Sequence, residues 1–205
     1  MRRTVQVNDG RHLDLNYFVE WRPWLWRRPL ADTLEFLGDL RGKRVLEIGG
    51  GAGRVTSLFA LCGARVTMVD KSDLGQARAE IEKWGVGDRV RLVKTQGGLD
   101  EIGNESFDAI FTKSVLWSVE GLSGMLDQLE SRLAPSGKVA FLENYRGGKA
   151  MFWLRRNVIH RGKFGWEYHY YGMRPDQLPL FSERFADVHW RRNLFFVYEI
   201  FGRKR

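Results

Sequence analysis

Two carboxylates and a set of closely spaced glycines carry the chemistry most readily read from this chain. Glu47 is followed by Gly49, Gly50, Gly51 and Gly53, and Asp70 closes the next apolar run, Arg65-Val66-Thr67-Met68-Val69-Asp70. A carboxylate accepts hydrogen bonds side by side, which suits a pair of neighbouring hydroxyls. Glycine lets the backbone approach a ligand closely and take dihedrals that other residues avoid. The run Val45-Leu46-Glu47-Ile48 reads as a short buried strand, and residues 54–61 as the helix after the glycine turn. Strand, turn, helix and acid-ended strand describe the first βαβ unit of an open α/β sheet, with a ligand site at the strand ends.

The spacing narrows the ligand. A dinucleotide site places its third glycine three residues after its second, to seat a pyrophosphate on a helix N-terminus. Arg54 stands at that position here, and the third glycine is Gly53. The pattern Glu47-x-Gly49-x-Gly51-x-Gly53 resembles the first motif of the class I S-adenosylmethionine (SAM)-dependent methyltransferases. SAM has no phosphates, so its loop needs close backbone approach rather than an anion nest. Four further segments extend the resemblance across residues 44–144. They are Asp70 with Ser72-Asp73-Leu74-Gly75-Gln76-Ala77-Arg78, the run Val90-Arg91-Leu92-Val93-Lys94 leading to Thr95-Gln96-Gly97, the stretch from Phe107 to Trp117, and the stretch from Leu133 to Glu143.

The resemblance implies a cofactor site built from Glu47, Gly49, Gly50, Gly51, Gly53, Asp70, Lys71, Gln96, Gly97, Ser114 and Tyr17. SAM is then the methyl donor and S-adenosylhomocysteine (SAH) the product. Asp70 is expected to accept from both ribose hydroxyls. The family commonly sets an aspartate against the adenine amino group where this chain has Gln96. An amide can accept from that group and donate to the neighbouring ring nitrogen.

Methyl transfer from a sulfonium is an in-line displacement at carbon, so alignment and exclusion of water supply much of the acceleration. A hydroxyl acceptor also gains from a general base. His169, within Trp166-Glu167-Tyr168-His169-Tyr170-Tyr171, is the first candidate. Glu143, at the end of the fifth core strand where the chain is expected to open onto the methyl site, is the second. His189 lies in a predicted strand and reads as structural, and His12 sits in the polar entry segment. Trp117, Arg146, His160 and Tyr170 are candidate acceptor contacts, the arginine because its planar fork suits a carboxylate or phosphate. Cys62 is the only cysteine, so neither a disulfide nor a cysteine-based metal site is expected, and no metal enters the reading.

The elements that must position these residues follow from periodicity. Leu30, Leu34, Leu37 and Leu40 give a helix ahead of the first strand, with Pro29 in its first turn and Gly42 as its stop. Leu74, Ala77, Ile81 and Trp84 form the next stripe, and Leu122, Met125, Leu126, Leu129 and Leu133 a further one, ended by Pro135-Ser136-Gly137. Strands alternate with helices through Glu143. The fold class is therefore α/β, a single Rossmann-like, doubly wound and mostly parallel sheet. The runs from Ala186 to Arg191 and from Phe195 to Phe201, joined by Arg192-Asn193-Leu194, read as a C-terminal antiparallel hairpin. In the family such a terminal strand inserts beside the fifth.

A single domain is expected over 1–205. It comprises an N-terminal cap and helix (1–43), the cofactor-binding core (44–144), an aromatic and basic substrate cap (145–185) and the terminal hairpin (186–205). The cap reading rests on the aromatic residues between Tyr145 and Phe185 and on the similar texture from Tyr17 to Arg28, which are expected to meet over the strand ends. Residues from Lys149 to Arg161 also draw as a helix with an apolar side, suited to a lid or to an anionic membrane surface.

The net charge of +8 is unevenly placed. Residues 1–45 hold nine Lys/Arg against six Asp/Glu, residues 46–144 eleven against fourteen, and residues 145–205 thirteen against five. The excess beyond the core points to an anionic acceptor or partner: phosphate, carboxylate, nucleic acid or lipid headgroup. No run is long and apolar enough to span a bilayer and the N-terminal residues lack a signal-peptide core, so a cytoplasmic protein is expected, with peripheral membrane contact open to it.

The leading reading is a SAM-dependent methyltransferase acting at an oxygen of a small-molecule, lipid- or glycan-linked acceptor. RNA methylation is the alternative. The Asp/Asn-Pro-Pro-aromatic motif of base-amino enzymes is absent where Lys113-Ser114-Val115-Leu116 stands, and Cys62 lies in the wrong element for a base-carbon nucleophile. A non-catalytic SAM-binding scaffold is a third reading. A nicotinamide dehydrogenase is disfavoured by Gly53 and Arg54.

Overall fold

The computed structural model describes residues 3–19, 22–146, 153–154, 157–158, 172–193 and 196–205. A small hairpin of β1 (Thr4–Gln6) and β2 (His12–Asp14) leads into α1 (Leu15–Val19) and α2 (Pro23–Leu37). The alternation follows as β3 (Arg44–Ile48), α3 (Arg54–Leu61), β4 (Arg65–Asp70), α4 (Gly75–Trp84) and β5 (Val90–Lys94). It continues with β6 (Phe107–Lys113), α5 (Leu122–Ser131) and β7 (Leu133–Asn144). Then come α6 (Pro179–Arg184), β8 (Ala186–Asn193) and β9 (Val197–Arg203).

Strands β3 to β9 form one sheet in the order β5-β4-β3-β6-β7-β9-β8. Pairing is parallel from β5 across to β7, and β9 runs antiparallel to both β7 and β8. The order reverses between β3 and β6, and ligands of open α/β sheets bind beyond the carboxyl ends of the strands at such a switch point. Strands covered on both faces read as continuous apolar runs, and β3 and β4 are buried from their second residue onward. On one face Val45, Val66 and Phe111 pack with Leu30, Leu58 and Phe59 of α2 and α3. On the other, Leu46, Ile110 and Phe141 pack with Leu126, Leu129 and Phe181 of α5 and α6. The last carbonyls of α2 find a donor across the sheet: Lys138 Nζ of β7 donates to Phe36 O at 2.7 Å and Leu37 O at 3.1 Å.

The structure corrects several boundaries. Pro23, not Pro29, occupies the first turn of α2, and Pro29 lies inside the helix, buried with Leu25, Trp26 and Leu30. The aromatic run Trp24-Leu25-Trp26 hides the helical period there. α5 stops at Ser131, and Leu133 already belongs to β7. Pro135-Ser136-Gly137 lie within β7 as an irregularity, with Ser136 at φ 61° and a register shift against β6. β8 runs on through Arg192 and Asn193, which the sequence assigns to the turn. The β1–β2 hairpin has no sequence signal, because three-residue strands are too short for alternation to show.

Some residues read as cap are core. Phe181 and Phe185 are buried against Phe141, ring centroids 5.5 and 5.9 Å apart, and Phe18 and Trp26 are buried as well. About half of the expected cap lies outside the described residues, including all of the helix drawn from Lys149 to Arg161 except residues 153–154 and 157–158. Among the described residues no helix is long and apolar enough to cross a membrane.

Candidate functional site

A cleft of about 830 Å³ opens at the switch point, where β3, β4 and β6 end. Its size falls within the range of roughly 300–1,000 Å³ usual for small-molecule and cofactor sites. Of the residues expected at a cofactor, Gly49, Asp70, Lys71, Gln96, Gly97 and Ser114 line it. The structure adds Thr95, Leu99, Val115, Met125 and Gln128. Thr95 and Val115 lie in segments that carry the resemblance but were not expected at the ligand, and Leu99, Met125 and Gln128 carry no motif of their own. Met125 belongs to a stripe that sequence alone reads as core, and folding brings it to the cleft.

Asp70 organises the site before any ligand arrives. Its Oδ2 accepts from Gly51 N at 2.8 Å and its Oδ1 from Ser72 N at 2.8 Å. An ionised carboxylate has about four lone-pair positions, so each oxygen keeps one for a further donor. Across the turn, Gly53 has φ +75°, and a Cβ there would stand 2.9 Å from the Cα of Ala77 in α4. Glycine is required at that position on both counts, and its absence of side chain lets α4 close against the loop. Above Gly51, by contrast, the space is open.

Two glutamates support the site from below. Glu47 is buried and accepts from Thr56 Oγ1 of α3 at 2.5 Å. Burial pushes its pKa up to about 7, against the lowering effects of Thr56 and of Lys113. It lies off the cleft wall, beneath the loop. Glu143 is fully buried too. Its Oε1 accepts from Thr112 Oγ1 at 2.8 Å and Val115 N at 3.3 Å, and its Oε2 from Trp117 N at 3.4 Å. Burial likewise raises its pKa to about 7. The carboxylate expected to open onto the methyl site is instead turned inward, holding the segment that follows β6. Within that segment Ser114 takes φ 61°, donates its N–H to Leu142 O at 2.8 Å and accepts from Asn144 Nδ2 at 3.1 Å. A non-glycine residue held in this region marks a place where the surroundings over-determine the backbone.

Other candidate residues have contacts of their own. Tyr17 points to α4: its hydroxyl donates to Glu80 at 2.8 Å and meets Lys83 Nζ, and its ring lies under Arg54 at 4.8 Å. Trp117, expected at the acceptor, turns its indole N–H back to Ser114 O at 3.0 Å. The backbone N–H of Arg146 donates to Met173 O at 3.1 Å. His189 packs its ring against Phe36 and Phe201, at 5.7 and 5.3 Å, in keeping with a structural part. His160, His169 and Tyr170 lie outside the described residues.

The comparisons give the family and the fold. A profile of the methyltransferase-domain family matches residues 18–192, and the chain belongs to that family, with the Rossmann-like fold of the class I SAM-dependent methyltransferases. A tRNA U34 carboxymethyltransferase of Klebsiella pneumoniae is 29% identical over 128 residues, covering 61% of this chain and 37% of that protein. A ubiquinone biosynthesis O-methyltransferase of Pseudomonas putida is 29% identical over 133 residues, covering 64% of this chain and 57% of the relative. The chain thus spans between about a third and somewhat over half of these curated relatives. Among solved structures, the N-methyltransferase NodS from Bradyrhizobium japonicum, in complex with SAH, superposes with a TM-score of 0.65 at 19% identity, covering 91% of this chain and 90% of its own.

Proposed function

We propose that this chain binds SAM in the switch-point cleft and transfers its methyl group to an oxygen of a small-molecule, lipid- or glycan-linked acceptor. The observation that carries the reading is Asp70, on the cleft wall with one backbone N–H on each oxygen and a lone pair of each left for a ribose hydroxyl. Gln96 stands beside it for the adenine edge, and the open space above Gly51 allows the amino-acid end to approach the backbone. SAM, when bound, supplies the activated methyl group. The protein aligns the acceptor with it and keeps water out. Glu143 contributes by fixing the segment from Ser114 to Trp117. The proton of a hydroxyl acceptor passes, in this reading, to His169.

Reaction at oxygen is supported by the ubiquinone O-methyltransferase relatives. Methylation of RNA is the second reading, favoured by the basic excess beyond residue 145 and by the tRNA-modifying relatives. The deciding experiment is calorimetric titration with SAH, followed by transfer of labelled methyl from SAM to a panel of phenols, carboxylates, lipids, glycans and RNA. One-to-one SAH binding with label on an oxygen of a small acceptor is expected. Label on RNA alone would move the second reading to the front, and absence of SAH binding would overturn both.

A further inference from the structure

The opposite edge of the sheet holds a second cleft, of about 800 Å³, at the amino ends of β3 to β6. Five arginines line it, Arg41, Arg44, Arg65, Arg89 and Arg91, against two acids, Asp88 and Glu105. Three of the five belong to residues 46–144, the segment in which acids otherwise outnumber bases. Arg44 opens β3, Arg65 opens β4 and Arg89 immediately precedes β5, so each of three adjacent strands is entered through an arginine.

Their placement is unfavourable for the protein alone. Arg44 and Arg65 are direct cross-strand partners in the β3–β4 ladder. Like charges set opposite one another in a sheet are destabilising. Carboxylates orient four of the five without filling the cleft. Asp39 holds Arg41 through Nε at 2.9 Å and Nη2 at 2.6 Å, and Asp108 lies 3.7 Å from Arg44 Nε. Asp88 lies 3.7 Å from Arg89 Nε, and Glu105 holds Arg91. Arg65 is exposed, and among the described residues it has no carboxylate partner. At the floor, Gly63 has φ +94° and no side chain, which leaves room for Arg41 to lie across it.

We propose that this cleft is an anion site for a ligand bearing two or more phosphates. Neighbouring strands lie about 4.8 Å apart, so the arginines on β3, β4 and β5 span roughly 10 Å. That span matches successive phosphates better than a single carboxylate. The guanidinium fork donates to phosphate oxygens in pairs, and a bound anion relieves the repulsion between Arg44 and Arg65. The concave shape suits a nucleotide-sized polyphosphate or a short stretch of nucleic-acid backbone.

The test is calorimetric titration of the whole chain with inorganic pyrophosphate and, separately, with a single-stranded oligouridylate, at low salt. Saturable binding of pyrophosphate is expected, weakened about tenfold in Arg65→Ser by loss of one charge-assisted contact and largely kept in Arg65→Lys. SAH titration of the same variants reports on the fold and is expected to stay at the wild-type value. A second variant, Arg44→Ser, checks the site should Arg65→Ser fold poorly. If the oligouridylate binds at least tenfold more tightly than pyrophosphate with the same dependence on Arg65, the phosphates come from nucleic acid; the reverse assigns a free polyphosphate. No saturable binding of either probe, or binding indifferent to Arg65 and Arg44, overturns the site.

Discussion

The two ends of the same strands carry opposite charge in different surroundings. β3 begins at Arg44 and has Glu47 next to its end, and β4 runs from Arg65 to Asp70. The carboxylates at the carboxyl edge are buried, Asp70 bonded by the backbone of the loops that shape the cleft and Glu47 by Thr56 of α3. The arginines at the amino edge are mostly exposed, and their partners are side chains. Charge interactions are strong where water is excluded and weak where it is not. The carboxyl edge therefore couples fold, loop and cofactor together, whereas the amino edge holds charge that the fold does not depend on.

Substitutions at the two edges can break that contrast. Asp70→Ala is expected to have the largest effect, a loss of about a hundredfold or more in SAH affinity, because two hydrogen bonds to a charged acceptor disappear and Gly51 loses its tether. Calorimetry checks it, and unchanged affinity would sink the ribose assignment. Next comes the pH dependence of stability. The folded-state pKa of Glu47, about 7, stands above its ordinary 4.5. The folded protein thus retains a proton that the unfolded chain has released, and stability falls as pH rises through that window and levels off above it. Glu47→Gln is expected to remove its share of that slope, on the order of 3 kcal/mol, in denaturant melts across pH. Glu143 adds a share of the same sign.

Gly53→Ala should lower stability by about 2 kcal/mol, from a positive φ and from contact with α4. Thermal melts with and without SAH read it. The smallest effect is expected from Arg44→Gln at the other edge, a change below about 0.5 kcal/mol, since its pairing with Asp108 is a half-exposed surface contact. A loss as large as that of Gly53→Ala would erase the distinction between the edges.

The first βαβ unit was legible because its signals are local: glycines at fixed offsets and an acid at a strand end. The terminal hairpin was legible in the same way, from two strand-like runs at the chain's end, whereas the insertion of β9 beside β7 came from the family resemblance. The roles of Glu143, Tyr17 and Trp117 were not legible. Each sits where the sequence places it, but the side-chain directions of Glu143 and Tyr17 are decided by partners distant in the chain, Thr112 and Glu80, and that of Trp117 by the turn back to Ser114 O. The arginine cleft escaped notice for a related reason. Arg44, Arg65 and Arg89 are scattered among ordinary surface charges until the parallel register sets them side by side.

The lysine that closes α2 sets a timetable for folding. Lys138 and the carbonyls it binds are 101 and 102 residues apart in the chain. On a ribosome adding about 5–20 residues each second, α2 waits roughly 5–20 s for that partner to be made. Until β7 has paired, the last carbonyls of α2 lack the Lys138 donor and its apolar face lacks part of the sheet it covers. The helix made early is in this respect among the last to be secured, and a chaperone acting on the nascent chain would meet it exposed.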